Sequence, residues 1–402
     1  MRTLDAEVIV VGAGPAGSAT AMLLARQGHD VLLLDKSVFP RHKACSEYVN
    51  PGGVKALQEL GLLEDALSHK PHRMTSMRVH APAGQTFLAD FDRAGDGQFA
   101  LGLSRFRLDK LLVDNAIHAG ASICDRAHVR DVRIAENDSV SVDATIAGER
   151  RTLTASLIVG ADGHHSVVSR SLGLDRSPRW PQRTGLIAHF RDVQPAGTTG
   201  EMYVDRHGYA GIAPLENGIT NVAFVSNCQS VSDREGSVDK YFMKSLDSIP
   251  GVRTRLEGAS QVGIIRGVGP MARSVARPCG SGYVLVGDAA GFVDPFTGDG
   301  VYEALKAAQL AAPIISNALR HGDTSSRRLD EYRALRRRTF TSKRQVSLII
   351  QAFIHIPAMM DYATPRLQER ADLGRILTGV LGNFTPARHA LSPIFLGRLL
   401  RP

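Results

Sequence analysis

The chain is poor in cysteine: its four, Cys45, Cys124, Cys228 and Cys279, fall at no CxxC spacing and have no histidine partners at zinc intervals. That excludes a disulfide scaffold or a zinc ribbon, gives no metal site to expect, and suits reduced thiols in a cytoplasmic protein. Long hydrophobic runs are missing too. The most apolar late stretch, Val346 to Met360, is interrupted by Ser347, Gln351, His355 and Pro357 and is shorter than the ~20 residues of a membrane span, although it could line a lipid-like pocket. No basic start and small-residue cleavage site precede Val8-Ile9-Val10-Val11; Asp5 and Glu7 stand there instead, so the start reads as the first strand of a domain rather than a secretory signal. Internal repeats and low-complexity segments are absent, which excludes solenoids and tails. What is present is ordinary globular usage, 402 residues with 43% hydrophobic and 22% charged, enough for two or three domains at about 100–200 residues each. Lys plus Arg is 48 against 40 for Asp plus Glu, a balance of +8 that points to an anionic partner: a phosphorylated cofactor, an acidic substrate, a membrane surface or nucleic acid.

Glu7 to Val11 is a short β-branched run, followed by Gly12-Ala13-Gly14-Pro15-Ala16-Gly17 and a helical apolar pattern through Ala21, Leu23, Leu24 and Ala25 to Gly28. A lone GxGxxG is a weak signal; strand, glycine turn and helix in register make it the Rossmann fingerprint. Gly12 allows the tight turn, Gly14 lets a pyrophosphate approach the backbone, and Gly17 lets the helix pack closely on the strand. The N-terminus of that helix offers unpaired N–H groups and a positive dipole end to phosphates. A second strand, Val31 to Leu34, ends at Asp35, eighteen residues after Gly17, where a carboxylate suits the adenosine ribose hydroxyls. The segment predicts a bound dinucleotide and leaves FAD and NAD both open.

Two later segments narrow the choice. Leu157-Ile158-Val159-Gly160-Ala161-Asp162-Gly163 is a strand running into a Gly-Asp-Gly-like turn, and Tyr283-Val284-Leu285-Val286-Gly287-Asp288-Ala289-Ala290-Gly291 leads to Asp294-Pro295-Phe296-Thr297-Gly298-Asp299-Gly300 and a helix from Val301. The three segments, in this order, resemble the flavoprotein superfamily that holds the para-hydroxybenzoate hydroxylase-like monooxygenases and the geranylgeranyl reductases. The resemblance covers roughly residues 5–320.

It implies an α/β fold: a Rossmann-type FAD-binding domain from residues 1–72, 100–173 and 277–325, interleaved with a mixed β-sheet substrate domain from 73–99 and 174–276, and closed by C-terminal helices over 326–402. It implies FAD as cofactor, with NADH or NADPH as electron donor. Besides Gly12, Gly14, Ala16, Gly17, Asp35 and Lys36, the expected cofactor contacts are Arg41, Arg105, Asp162, Gly163, Gly287, Asp288, Gly298, Gly300 and Val301. Asp288 would accept hydrogen bonds from the ribitol or ribose, and the helix from Gly300 would aim its positive end at the flavin pyrimidine edge, useful because reduced flavin carries negative charge there. With the FAD pyrophosphate as the anion beside Gly12, Gly14, Arg41 and Arg105, nucleic acid is not needed to explain the basic balance.

Phe39-Pro40-Arg41-His42-Lys43-Ala44-Cys45 and Asp294-Pro295-Phe296-Thr297-Gly298-Asp299-Gly300 are similar to the geranylgeranyl reductase branch. Departures follow: Ser46 replaces the usual glycine, Glu47-Tyr48 comes next, and Tyr209-Ala210-Gly211-Ile212-Ala213-Pro214 keeps Tyr209 and Pro214 but has Gly211 and Ala213 where relatives carry Trp and Phe. On that ground the leading expectation is a monooxygenase of secondary metabolism that hydroxylates or epoxidises a hydrophobic phenolic, quinone or polyketide-like molecule, with O2 as co-substrate. The alternative is a C=C reductase acting on an isoprenoid or quinone side chain; a non-catalytic flavin protein is the remainder. A halogenase is disfavoured, because neither a Trp-x-Trp-x-Ile signature nor the active-site lysine of that branch is found. Cys45, Glu47 and Tyr48 are the candidates for a proton donor or for polarising a phenol, and Tyr209, Pro214, Pro295 and Phe296 for the substrate wall.

Weaker features carry blander readings. His164 and His165 read as exposed turn histidines. Arg333, Arg336, Arg337, Arg338, Lys343 and Arg344 spread around a helix without interleaved aromatics, so they read as a solvated face, with a peripheral membrane contact as the residual functional option. Trp180, the single tryptophan, is read as core or pocket wall.

Overall fold

The computed structural model describes residues 4–401 apart from 96, 136–138, 177, 179 and 233–235. Its first sheet grows from the two strands read in the sequence. Ala6–Val11 pairs in parallel with Val31–Leu34 on one side and Glu149–Gly160 on the other, and the order across the sheet is Cys279–Gly280, Tyr283–Leu285, Glu149–Gly160, Ala6–Val11, Val31–Leu34, Ser122–Cys124. The central strands Ala6–Val11 and Val31–Leu34 are buried on both faces, which is why they are nearly continuous Val, Ile and Leu. The helices Pro15–Arg26, Arg105–His118 and Gly300–Arg320 cover one face, in a core that includes Met22, Leu24, Leu108, Leu112, Leu305 and Ile315.

A second sheet of seven strands runs in the order Ser260–Val268, Arg183–Arg191, Thr220–Asn227, Gly208–Pro214, Thr199–Asp205, Ser76–His80, Thr86–Asp90. It is antiparallel except where Thr199–Asp205 meets Ser76–His80, so the sheet is mixed. Phe242, Leu246 and Val252, from two short helices, pack against Phe190, Ile212 and Phe224 of its strands. Its other side roofs a cavity over the ends of the first sheet.

The C-terminal part is helical: Ser326–His355, Pro357–Glu369, Ala371–Leu381 and Pro393–Leu400. Pro357 cannot continue the preceding helix, and the chain turns by 116° there. Among the described residues no single helix is long and apolar enough to cross a membrane. Leu367, Leu373, Val380 and Phe395 pack against Phe87 and Ala89, joining these helices to the edge of the second sheet.

Candidate active site

The glycine turn ends the Ala6–Val11 strand in the geometry its residues demand. Gly12 has φ +99°, where a Cβ would sit 2.5 Å from the Ala161 carbonyl oxygen. A Cβ on Gly17 would lie 1.8 Å from the Gly12 carbonyl, so the helix approaches the turn as only glycine permits. Gly14 caps the Pro15–Arg26 helix, whose first turn has neither a side-chain cap nor a carboxylate, and its free N–H groups are left for an anion. Asp35 does structural work as well: its Oδ2 accepts from Ala13 N at 2.8 Å and its Oδ1 from Ser37 N at 2.8 Å. Lys36 next to it is exposed.

Opposite the turn lie three cations. Arg105, 6% exposed rather than solvated, is gripped by Asp109 through Nε to Oδ1 at 2.6 Å and Nη2 to Oδ2 at 2.8 Å. Arg41 reaches the same carboxylate, Nη1 to Oδ2 at 2.9 Å. Burial opposes the charge on Arg105, but Asp109 and the thiol of Cys45 more than offset it, so the guanidinium is held firmly charged. Lys43 keeps one side exposed and points toward Gly163 in the cavity; desolvation by the surrounding protein, then Arg105 and Arg41, push its ammonium below the ordinary lysine value. Cations crowded this way want an anion, and the glycine turn across from them has the space and the N–H donors for a diphosphate. The residues present therefore fit FAD.

One cavity of about 1180 Å³ collects the three sequence motifs: Gly14 and Ala16 from the first, Gly163 from the second, and Gly287, Asp288, Gly298, Gly300 and Val301 from the third. Gly287 meets Ala16 and Ala304, which locks the first and third motifs together. Asp162 is turned from this cavity to cap the next helix, its Oδ2 accepting from Val167 N at 2.6 Å, while its Oδ1 is buried without a partner.

His164 departs from its reading as an exposed turn residue, whereas His165 is exposed. The His164 ring lines the cavity, lies edge-on to Phe292 at 4.9 Å and points Nε2 at Asp288 Oδ2, 3.4 Å away. Burial lowers its pKa, with Asp288 opposing, so it is a neutral partner for the carboxylate expected to bind ribitol. The basic cluster departs as well. Arg333, Arg337 and Arg338 are exposed, but Arg336 and Lys343 are 7% and 4% exposed and Arg344 is half-buried. Positions 336, 343 and 344 share one helix face, and that face turns inward. Lys343 Nζ lies 3.1 Å from Asp299 Oδ1, which also accepts from Asn50 and Asn383 at 3.0 and 2.6 Å. Trp180 is 41% exposed and forms no core.

Glu303, one turn into the Gly300–Arg320 helix, sits among Asp299, Arg336 and Arg344. Burial pushes its carboxyl up to about 7, Asp299 adds to the shift, and the arginines oppose it. The folded protein thus holds this proton more tightly than the unfolded chain. Stability is full below the ordinary glutamate value of 4.5 and declines as pH rises to about 7, by up to ~3 kcal/mol. Glu303→Gln is expected to remove that decline and to leave the flavin-free variant more stable than the parent at about pH 8; urea midpoints taken at both ends of the range measure it.

Of the candidates for acid chemistry, Cys45 and Tyr48 line the cavity and Glu47 does not. Glu47 is 1% exposed at φ +54°, and its carboxylate accepts from Arg105 N at 2.8 Å and Asn221 Nδ2 at 3.0 Å, with His189 Nε2 at 2.5 Å. Asn221 Nδ2 also donates to the Cys45 carbonyl at 2.9 Å, so the second sheet holds this loop from above. Burial and Asp299 raise the Tyr48 phenol far above its ordinary value, keeping it neutral. Tyr209 lines the cavity with its ring while its hydroxyl donates to Asp294 Oδ1 at 2.6 Å, and Phe296 stands edge-on to it at 5.1 Å. Pro295 lines the cavity too; Pro214 does not, its carbonyl lying against Gly102.

Beside Gly211 lies a second chamber of about 620 Å³, and Ser46, Tyr48, Met202, Gly211, Pro295 and Gly298 belong to the walls of both. Gly211 and Ala213, the small residues at the eroded motif, front this chamber.

Comparison with known proteins agrees with the cradle. The sequence is 27% identical over 398 residues to menaquinone reductase of Mycolicibacterium smegmatis, covering 94% of this chain and 91% of that protein. It is 30% identical to digeranylgeranylglycerophospholipid reductase 1 of Methanothermobacter thermautotrophicus over 82% of each chain. The crystal structure of CmlS, a flavin-dependent halogenase, superposes with a TM-score of 0.77 at 25% identity, over 85% of this chain and 63% of that one. The profile of the FAD binding domain matches residues 5–345, and the chain belongs to that family of FAD-dependent oxidoreductases.

Proposed function

We propose that the protein reduces a C=C bond in a lipophilic, isoprenoid-like molecule at the expense of NADH or NADPH. The observation that carries this reading is the pair of adjoining chambers: the flavin-side cavity and a second, mainly apolar space share the walls around Gly211, where an extended chain would find room beyond the reacting position. The missing rings at 211 and 213 favoured a compact phenolic substrate while only the sequence was known. With the chambers in view they have the opposite meaning, because small residues open the passage that aromatic ones would narrow. The similarity to two reductases of lipid-like molecules supports the same reading.

Held by the glycine turn and the Arg41, Lys43 and Arg105 cluster, FAD would supply the hydride-transfer chemistry between the nicotinamide and one alkene carbon. The other carbon needs a proton, and the thiol of Cys45, on the cavity wall beside Arg105, is the group we assign to supply it; solvent then reprotonates the sulfur. Tyr48, held neutral and far from ionising, is the poorer acid and serves as a wall. Met202, Ile187, Val225 and Met271 exclude water around the chain. Glu47 acts at one remove, by fixing the loop that carries Cys45. The net change is one C=C bond plus NAD(P)H and a proton to a saturated C–C bond and NAD(P)+.

An oxygen-using reading, hydroxylation or halogenation, is the second choice. It shares the reduced flavin and draws on the likeness to CmlS. Stopped-flow absorbance under nitrogen tests the first reading. Holoenzyme reduced by NADH or NADPH should be reoxidised by geranylgeraniol but not by its fully saturated analogue. No reoxidation by either alcohol, with rapid reoxidation on admitting air, would favour the oxygen-using enzyme.

A further inference from the structure

A third cavity, of about 770 Å³, lies between the C-terminal helices and the edge of the second sheet. Its walls include Phe87, Ile350, Phe353, Leu367, Phe395 and Leu399, and the single hydroxyl-bearing residue among them is Thr364. Val79, Phe296 and Leu381 are walls of both this cavity and the second chamber, so the two lie side by side, and the second chamber in turn shares walls with the flavin cradle. Interiors this apolar normally close to near-crystalline packing, with few voids larger than a water molecule. Here the walls leave a pocket that is partly open to solvent, and its volume includes that opening. The Ser326–His355 helix turns by 116° into Pro357–Glu369, and both helices contribute walls from the two sides of that bend.

We infer that this compartment is a separate binding site for an unbranched or isoprenoid hydrocarbon chain, the unreactive end of the molecule whose reactive end faces the flavin. The inference rests on the proposed function for the identity of that molecule, but the chain site has its own chemistry. A headgroup or phenol would lose its hydrogen bonds there, with Thr364 alone to answer it, whereas a hydrocarbon loses none. Free lipid or detergent would use the same walls, and the adjacency of the compartment to the second chamber, with Phe296 a wall of both, favours one long occupant. Val346, Ile349 and Ile350, from the apolar stretch too broken to span a membrane, are thereby explained as wall residues.

The test uses the FAD-loaded protein and cis-parinaric acid, whose fluorescence rises in a dry apolar site. Saturable binding is expected, and saturated fatty acids should displace the probe with affinity tightening roughly threefold to fourfold per added methylene until the compartment is full. Ala363→Phe and Ala390→Leu each fill the compartment and should weaken parinarate by about tenfold or more, while flavin content and the rate of flavin reduction by NAD(P)H stay at the parent values. Leu348→Ser, on the exposed side of the same helical region, should change nothing. Should a filling variant fail to fold, the chain-length series on the parent protein decides alone. No binding, affinity independent of chain length, or folded filling variants that bind as the parent does would each overturn the inference. Chain binding that follows these rules in a protein that reduces no alkene would uphold the compartment and remove the proposed reaction instead.

Discussion

Asp109→Asn is expected to yield a protein that loses most of its FAD on gel filtration and melts well below the parent. Asp109 is fully buried and answers two guanidinium groups at once, Arg105 at 2.6 and 2.8 Å and Arg41 at 2.9 Å. An asparagine amide can accept on its oxygen only; its NH2 would face a guanidinium N–H, donor against donor. Arg41, Lys43 and Arg105 would then share one cleft without the buried carboxylate that holds two of them, and breaking a buried pair of this kind costs about 3–5 kcal/mol. The FAD phosphates return part of the lost charge but not the aim of the side chains, so affinity should fall roughly thirtyfold or more, a loss of about 2 kcal/mol. Added pyrophosphate should therefore narrow the melting-temperature gap without restoring flavin binding. A variant that keeps stoichiometric FAD and melts within about a degree of the parent would show that the carboxylate does not organise the cradle.

The second large effect is expected at Glu47. Glu47→Ala removes the acceptor from Arg105 N and Asn221 Nδ2 and the partner of His189 Nε2, in a site with almost no access to water. Each orphaned buried group costs about 1–3 kcal/mol, so a loss near 3–5 kcal/mol is expected; the left-handed backbone at φ +54° is common to parent and variant and offsets none of it. Glu47→Gln keeps the shape and one accepting oxygen and should lose less. The functional signature is selective. Because Glu47 holds the Cys45 loop and touches no part of the cavity, flavin reduction by NAD(P)H should be little changed in the glutamine variant, while transfer to substrate slows. Equal slowing of both half-reactions would make Glu47 a general scaffold residue, and an alanine variant as stable as the parent would contradict the network.

These two residues also mark where sequence reading stops. The Rossmann turn was legible because its constraints are local: Gly12 and Gly17 are demanded by backbone atoms of the same turn and of the strand beside it. The joining of three motifs in one cavity is what the resemblance to the flavoprotein superfamily implies, and the cavity brings Gly14, Gly163 and Gly287 together. Asp109 offered only a weak local sign, one helical turn after Arg105, and nothing in the chain says that Arg41, 68 residues earlier, shares its carboxylate. Glu47 was picked out as an acid next to Cys45, yet what decides its role is contact with His189 and Asn221, 142 and 174 residues away. Lys43 and His164 carry no sequence signal because a cation in a loop and a histidine after a turn are ordinary when exposed; in the fold His164 is half-buried against Asp288, and Lys43, still exposed, lines the cavity. The inward face of the basic helix was within reach, since 336, 343 and 344 recur at helical spacing, but charge suggested solvent more strongly than periodicity suggested burial. What Gly211 and Ala213 mean for substrate shape is not legible from the sequence, because loss of a side chain reports space only once the neighbouring walls are known.

The central claim is that hydrogen, and not oxygen, is delivered to a lipophilic alkene. Product mass after anaerobic turnover tests it most directly: holoenzyme, NADH or NADPH and an isoprenoid quinone are incubated under nitrogen, then returned to air before mass spectrometry. Reduction of the quinone ring alone is reversed by air, whereas a saturated side-chain bond survives. The account predicts a retained gain of two hydrogens. An unchanged mass, joined to a gain of one oxygen or of a halogen when the same mixture is run in air with halide, would contradict it.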